Sequence, residues 1–300
     1  MVATSSPTVL KRHVALQLKS LRERAGVKRE QVAEHLGCTV GHVRHLETLV
    51  SLPKPLETRA LLPLYGAPER VDSFLSLVDA AKRGKDWFAD FTGRPRWLDL
   101  LLGMEVAAAT IHGYDALVVR GLFQTPAYAR AVILGQEPEL DDAEVQQRIE
   151  LRMARQDILT RRPEPPQVWC VLDESVLYRR APDRAVLAEQ MEHLVKLGEL
   201  PNVHIQVLPL DLPAGDPAER ADTIGLHAGI NGTFTVLAFG PELVGDPGVA
   251  YTESRISGTY YEDAAEVMRY RDTWSHVQLQ ALTPEQSRAV LARRVEEITA

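Results

Sequence analysis

The stretch Gln31–Glu47, QVAEHLGCTVGHVRHLE, decides the architecture of the first part of this chain. Two short apolar-patterned segments flank a glycine, and the second carries His42, Arg44 and His45. Counting from Arg29 as position one, position five is Ala33, nine is Gly37, fifteen is Val43 and eighteen is Leu46. Each has a steric reason. Helices that cross closely need a small side chain at the crossing, here Ala33. The turn between them favours a residue that accepts positive φ, here Gly37. Val32, Leu36, Val43 and Leu46 then bury in the angle. Thr39 is placed to cap the second helix, whose exposed amides favour a phosphate.

These constraints in this order define a helix-turn-helix. Working outward, Val14, Leu18 and Leu21 lie at i, i+4 and i+7 and predict a preceding helix over about 10–24, ended by Gly26. A following helix is expected over about 56–65, after the breakers Pro53 and Pro55. GAPERVDSFLSLVDAAKRGKDW then reads as a helix opened by Pro68 and stopped near Gly84, connecting two domains. The expected organisation is an all-α helix-turn-helix domain at 1–66, a connecting helix at 67–84, and an α/β or α+β domain at 85–300. A length of 300 residues fits two domains.

The formal net charge of −7 conceals an asymmetry. Residues 1–66 hold four Lys, six Arg, five Glu and no Asp, so that segment is +5 and the remainder is −12. A basic head on an acidic body points to a polyanion met by the head alone. No run approaches the ~20 apolar residues of a membrane span, and MVATSSPTVLKRH lacks the apolar core of a signal peptide. A cytoplasmic location without membrane contact is therefore expected. Cys38 and Cys170 are far apart, fit no zinc spacing, and read as reduced core thiols.

In the second part, helices are expected at 97–109, within YARAVILG, at 141–161 with Asp141 or Asp142 as cap, and at 183–197. Strands are expected at 112–119, 167–174, 202–210, 232–239 and 249–254, with a long loop at 211–232. EDAAEVMRYRDTWSHVQLQAL and TPEQSRAVLARRVEEI read as closing helices, the latter with Thr283, Pro284 and Gln286 as cap, first-turn proline and capping box.

LKSLRERAGVKREQVAEHLGCTVGHVRHLE resembles the phage-repressor, or Xre-type, helix-turn-helix family. The resemblance implies a five-helix domain whose third helix enters the DNA major groove. By position, Thr39, Val40, Gly41, His42 and His45 face the groove, Arg29 opens the second helix, and Arg44 flanks the third. Such domains commonly carry Thr-Gln where this chain has Lys28-Arg29. Their Gly and basic run after the Glu correspond here to TLVSLPKP, in which only Lys54 is basic. Val40 and Gly41 offer no bidentate hydrogen bonds; Val40 suits a thymine methyl, and His42 or His45 a guanine acceptor. His42 and His45, at i and i+3, lack the further ligands of a metal site.

Beyond the head, DWFADF, VRGLFQTPAYARAV, RIELRMARQDILTR, VLDESVLYR, LPNVHIQVLP, GTFTVLAF and YYEDAAEVMRYR occur in that order. They resemble the C-terminal domain of a large actinomycete group of antitoxin-like, Xre-type regulators. That resemblance implies regulation, a homodimer, and often a small partner protein. From the residues, Arg120 and Gln124 follow a predicted strand, where polar groups often line a ligand crevice. Arg148, Arg152 and Arg155 form one basic stripe, suited to an acidic ligand or to pairing with Glu144, Glu150 or Asp157. Tyr251 and Glu253 share a strand face. Arg120, Gln124, Arg152, Tyr251 and Glu253 are thus the candidate ligand residues. LDES has no nucleophile-elbow glycines, and no P-loop or dinucleotide motif is present. No catalytic group, cofactor or metal is expected.

Two functions remain open at this point. One is a regulator that binds double-stranded DNA through Arg29, Thr39, Val40, Gly41, His42, Arg44, His45 and Lys54. Its C-terminal domain dimerises and responds to a small-molecule effector or partner protein. The other is a repurposed scaffold that has lost DNA binding and binds or transforms a metabolite.

Overall fold

The computed structural model describes residues 6–91, 94–95, 97–162, 164–179, 183–211, 232–240, 243 and 245–300. The chain divides into two compact units. The first is Met1–Asp90 with Asp99–Ala107 and Phe239–Asp246; the second is Phe91–Leu98, Ala108–Ala238 and Pro247–Ala300.

The head contains α1 (Pro7–Arg24), α2 (Arg29–Leu36), α3 (Val40–Leu46), α4 (Pro55–Leu64) and α5 (Val71–Arg83), joined by most of α6 (Leu98–Ala107). Val14, Leu18, Leu21, Val32, Ala33, Val43, Leu46, Leu61 and Leu62 meet in one core. The expected connecting helix is instead the fifth helix of the head. Its Phe74, Val78 and Ala81 recur at i, i+4 and i+7 and are buried, with Phe74 and Val78 in the core of the head. An apolar stripe of that strength needs a partner to cover it, and a solvated spacer has none.

α1 also carries a buried cation. Arg12 is fully buried, and its Nη1 lies 2.5 Å from Asp246 Oδ2, with side chains 0% and 1% exposed. The guanidinium sits 5.3 Å over the Phe239 ring, and His13 Nδ1 approaches the same carboxylate oxygen at 3.8 Å. Phe239, the last residue of β4 (Phe234–Phe239), and Asp246 thus belong to the head.

The second unit is built on a six-stranded sheet of order β3-β2-β1-β4-β5-β6. Its strands are β1 (Ala108–Asp115), β2 (Gln167–Asp173), β3 (Val203–Leu208), β4 (Phe234–Phe239), β5 (Val249–Glu253) and β6 (Gly258–Tyr261). β1, β2 and β3 run parallel. α7 (Pro126–Gln136) and α8 (Asp142–Arg155) bridge the first pair; α9 (Ser175–Tyr178) and α10 (Arg184–Leu197) bridge the second. β4, β5 and β6 are antiparallel neighbours. The Ala116 amide, just past β1, donates to Thr233 Oγ1, just ahead of β4, at 3.0 Å, so β1 and β4 run in opposite directions. A mixed sheet with helices makes this an α+β domain. α11 (Ala264–Gln280) and α12 (Pro284–Thr299) close it, α12 with the expected Thr283 cap and capping box.

The first strand starts and stops four residues earlier than its apolar run suggests. Asp115 is drawn inward by Arg120, whose Nε donates to Oδ2 at 2.7 Å. The chain turns there, leaving Leu117 and Val118 exposed. Gly113 leaves room for this guanidinium: a Cβ there would meet Arg120 Nη2 at 1.5 Å and push the side chain off Asp115. β6 escaped the sequence reading because its four residues carry too little alternation; a short turn closes it onto β5, with Ser254 N donating to Ser257 O at 2.8 Å. The helix expected at 141–161 begins after the Asp141 cap and gives way to a 3-10 turn at Gln156. The expected loop at 211–232 lies, apart from its end residues, outside the described residues. Cys38 and Cys170 are both free thiols; Cys170 is buried, Cys38 half-buried.

One face of the parallel strands holds the cross-strand row His112, Trp169 and His204. Trp169 stacks on His204 at 4.0 Å, and Trp274 of α11 stacks on His112 at 4.0 Å. Burial, with the Arg271 and Arg120 charges, lowers the His112 pKa from 6.5 to about 4. The native state therefore holds His112 neutral where an unfolded chain would protonate it. Its contribution to stability is complete above pH 6.5 and is lost as pH falls towards 4. Denaturant titrations at pH 7 and pH 5 should show a smaller acid loss for His112→Phe, which keeps the ring stack, than for the parent. Equal losses would show that this imidazole does not govern the acid sensitivity.

Candidate nucleic-acid interface

The helix-turn-helix forms as its spacing requires. Gly37 ends α2 at φ 63°. Thr39 caps α3, its Oγ1 accepting from the His42 amide at 3.2 Å. Lys28 gives α2 no side-chain cap, but Gln31 Oε1 accepts from the Lys28 amide at 2.8 Å.

Beneath the motif lies a charged clamp. Glu47, which ends α3, has a buried side chain and accepts from Arg22 Nε at 2.6 Å, Arg22 Nη2 at 3.2 Å and Arg29 Nε at 2.8 Å. One carboxylate thus ties α1, α2 and α3 together. Hydrogen bonding to Glu47 raises the Arg22 pKa against the opposing effect of burial. Sequence reasoning missed both Arg22 and Glu47. The signal was there: Arg22 directly follows the apolar stripe ending at Leu21, and Glu47 is the one carboxylate after the cations of α3.

Of the eight expected DNA-contact residues, Thr39, Val40, Gly41, Arg44, His45 and Lys54 are exposed. Val40 through Leu46 contains no acidic residue, and the acid that follows is turned inward. Two positions need correction. His42 is only partly exposed, and its Nε2 lies 2.9 Å from Glu57 Oε1 of α4, so that edge of the ring is committed within the protein. The Arg29 side chain is 36% exposed and spends Nε on Glu47; its terminal Nη groups bond no described residue, which leaves them to an outside anion.

In the turn that follows α3, Leu49 stands at φ 60°. A non-glycine residue in this region costs about 1–2 kcal/mol. Leu49→Gly should therefore raise stability by roughly 0.5–1 kcal/mol, the gain being reduced by the added freedom of the unfolded chain. A urea midpoint unchanged or lower than that of the parent would show that the leucine side chain compensates for its backbone.

The candidate ligand residues behave differently. Arg120 does not line a pocket mouth. It is buried on Asp115, with Nη2 to Oδ1 at 3.2 Å, and Cys170 Sγ is 3.2 Å from Asp115 Oδ2. Burial, with Asp115, pushes the Cys170 thiol well above its usual range, as suits a core thiol and not a nucleophile. Gln124 is also interior, at 2% exposure; it holds the Val119 carbonyl and accepts from Arg152 Nη1. Both residues follow the strand, as expected, but close the turn after it. Arg152 is half-buried, and burial together with Arg155 lowers its pKa to about 10, with Glu253 opposing. Tyr251 and Glu253 do share a face, joined by a 3.1 Å hydrogen bond. Arg148 pairs with Glu137, ahead of α8, and not with the helix neighbours. In LDES, Asp173 accepts from Tyr114 Oη at 3.1 Å and from the Ser175 amide at 3.0 Å. Among the described residues, no group of three or more His, Cys, Asp or Glu is placed to hold a metal, and no helix is long and apolar enough to cross a membrane.

This geometry defines a helix-turn-helix protein, and residues 13–74 match a family described as a helix-turn-helix domain. Most of the remaining chain, residues 98–293, matches the family described as Domain of unknown function (DUF5753), and the chain belongs to that family. Searches of the curated proteins and of the solved structures found no match.

Proposed function

We propose that the protein is a sequence-specific, DNA-binding transcriptional regulator of the cytoplasm, acting as a homodimer. The observation that carries this reading is the division of charge around α3. Its exposed surface presents Arg44, His45 and Val40 without a carboxylate, while Glu47 is buried and matched by two arginines. A helix so presented suits the major groove, with Val40 against a thymine methyl, His45 on a base edge, and Arg29, Arg44 and Lys54 on phosphates. The ordered segments from DWFADF to YYEDAAEVMRYR support membership of the Xre-type, antitoxin-like group. The DUF5753 domain dimerises and responds to a small-molecule effector or a small partner protein; no catalytic role is proposed. An effector shifts operator affinity only by binding the competent and incompetent states differently.

A second reading has specific support. His42 and Arg29 both spend donors on internal carboxylates, as expected of a scaffold that has left DNA for a metabolite. Arg29 separates the two. In titrations of duplex DNA at several salt concentrations, Arg29→Ala should weaken binding and reduce the log–log salt slope by about one. An unchanged slope and affinity would place its Nη groups in solvent.

A further inference from the structure

Behind the loop that follows α3, the head contains an open groove of about 340 Å3. Lys11 of α1, Lys82 of α5 and Leu49–Leu52 are among the residues that line it. Both lysines are exposed and make no hydrogen bond or ion pair with any described residue. The other basic residues near the end of α5 are already matched: Arg83 lies 2.6 Å from Asp79, and Lys85 lies 2.6 Å from Asp90. Among the described residues, no carboxylate lines the groove. Ser51 adds a buried Oγ without a hydrogen-bond partner. Buried hydroxyls are rarely left so, and an orphan of this kind asks for an outside partner.

We infer that this groove is a phosphate-binding site, in which Lys11 and Lys82 neutralise the anion and the Ser51 hydroxyl, turned inward and without a partner here, swings about its Cα–Cβ bond to donate to one of its oxygens. Two lysines that pair with no described carboxylate select a multiply charged oxyanion over a neutral ligand, and the volume admits a diphosphate. The phosphate can come from a free phosphorylated small molecule or from the backbone of bound DNA. Only the second source rests on the DNA-binding reading. The site also has a route to the recognition helix, since the Ser51 amide donates to the His45 carbonyl at 3.2 Å. An anion drawn onto Ser51 pulls on the last turn of α3.

The test uses the full chain and inorganic pyrophosphate as probe. Calorimetric titration in a chloride buffer should give saturable binding, weakened about tenfold or more when the charge-assisted bonds are removed in Lys11→Gln/Lys82→Gln. Ser51→Ala, which alters no charge, should weaken it less. Salt-dependent DNA titrations form the second arm. Pyrophosphate binding lost in the double variant, with the DNA salt slope intact, establishes the site for a free ligand. A slope reduced by about two, without pyrophosphate binding, assigns the groove to the DNA backbone. Pyrophosphate binding by a protein that binds no DNA upholds the site and removes the DNA-binding reading. Neither pyrophosphate binding nor a change of slope overturns the inference, as does pyrophosphate binding equal in parent and double variant.

Discussion

Arg12→Ala should lower the stability of the protein by about 3–5 kcal/mol, because it strands a buried carboxylate. Asp246 is 1% exposed and 2.5 Å from the guanidinium, so the carboxylate loses a close cationic partner while shielded from bulk solvent. The ring contact with Phe239 goes as well. The penalty comes mostly from the uncompensated charge, which sets the control. Replacing both partners, as in Arg12→Met/Asp246→Leu, should recover much of the loss, since an apolar pair of similar volume is often neutral in place of a buried ion pair. Urea unfolding followed by circular dichroism measures both. A single variant within about 1 kcal/mol of the parent would mean that Asp246 is released to solvent at little cost, as for an exposed pair.

Glu47→Ala should have the second large effect, about 3–5 kcal/mol again, with DNA affinity lost alongside. The carboxylate accepts three bonds from Arg22 and Arg29, and without it two cations face each other between α1 and α2. Glu47→Gln keeps the shape and part of the hydrogen bonding, so it should fall between alanine and the parent. DNA binding measured well below the unfolding midpoint separates the effects. A folded Glu47→Ala protein with parental affinity would show that the clamp stabilises the head without aligning α3.

Legibility in the sequence followed the range over which each feature is decided. Gly37, the Thr39 cap, Ala33 and the Thr283 capping box are set within a few residues, so spacing sufficed to find them. α5 was recognised as a helix, but its role was not. An apolar stripe states that a partner exists without saying which, and Phe74 and Val78 chose the core of the head. The Arg12–Asp246 pair joins residues 234 positions apart, and nothing local to either announces it. At the candidate ligand site, the strand-end rule brought attention to Arg120 and Gln124. Whether a polar residue after a strand faces a crevice or a buried carboxylate depends on Asp115 and Arg152, which only the fold brings there. On α3 the exposed set was legible from position, whereas the diversion of His42 to Glu57 required knowing where α4 lies.

The most direct test of the central claim is a nuclease footprint of the full chain on the promoter fragment of its own gene, followed by selection from a genomic fragment library. A dimer that reads DNA through α3 should protect half-sites about one helical turn apart, ~34 Å, and protection should be lost in Arg44→Ala/His45→Ala. Absence of protection at low salt, together with no fragment enriched from the library, would contradict it.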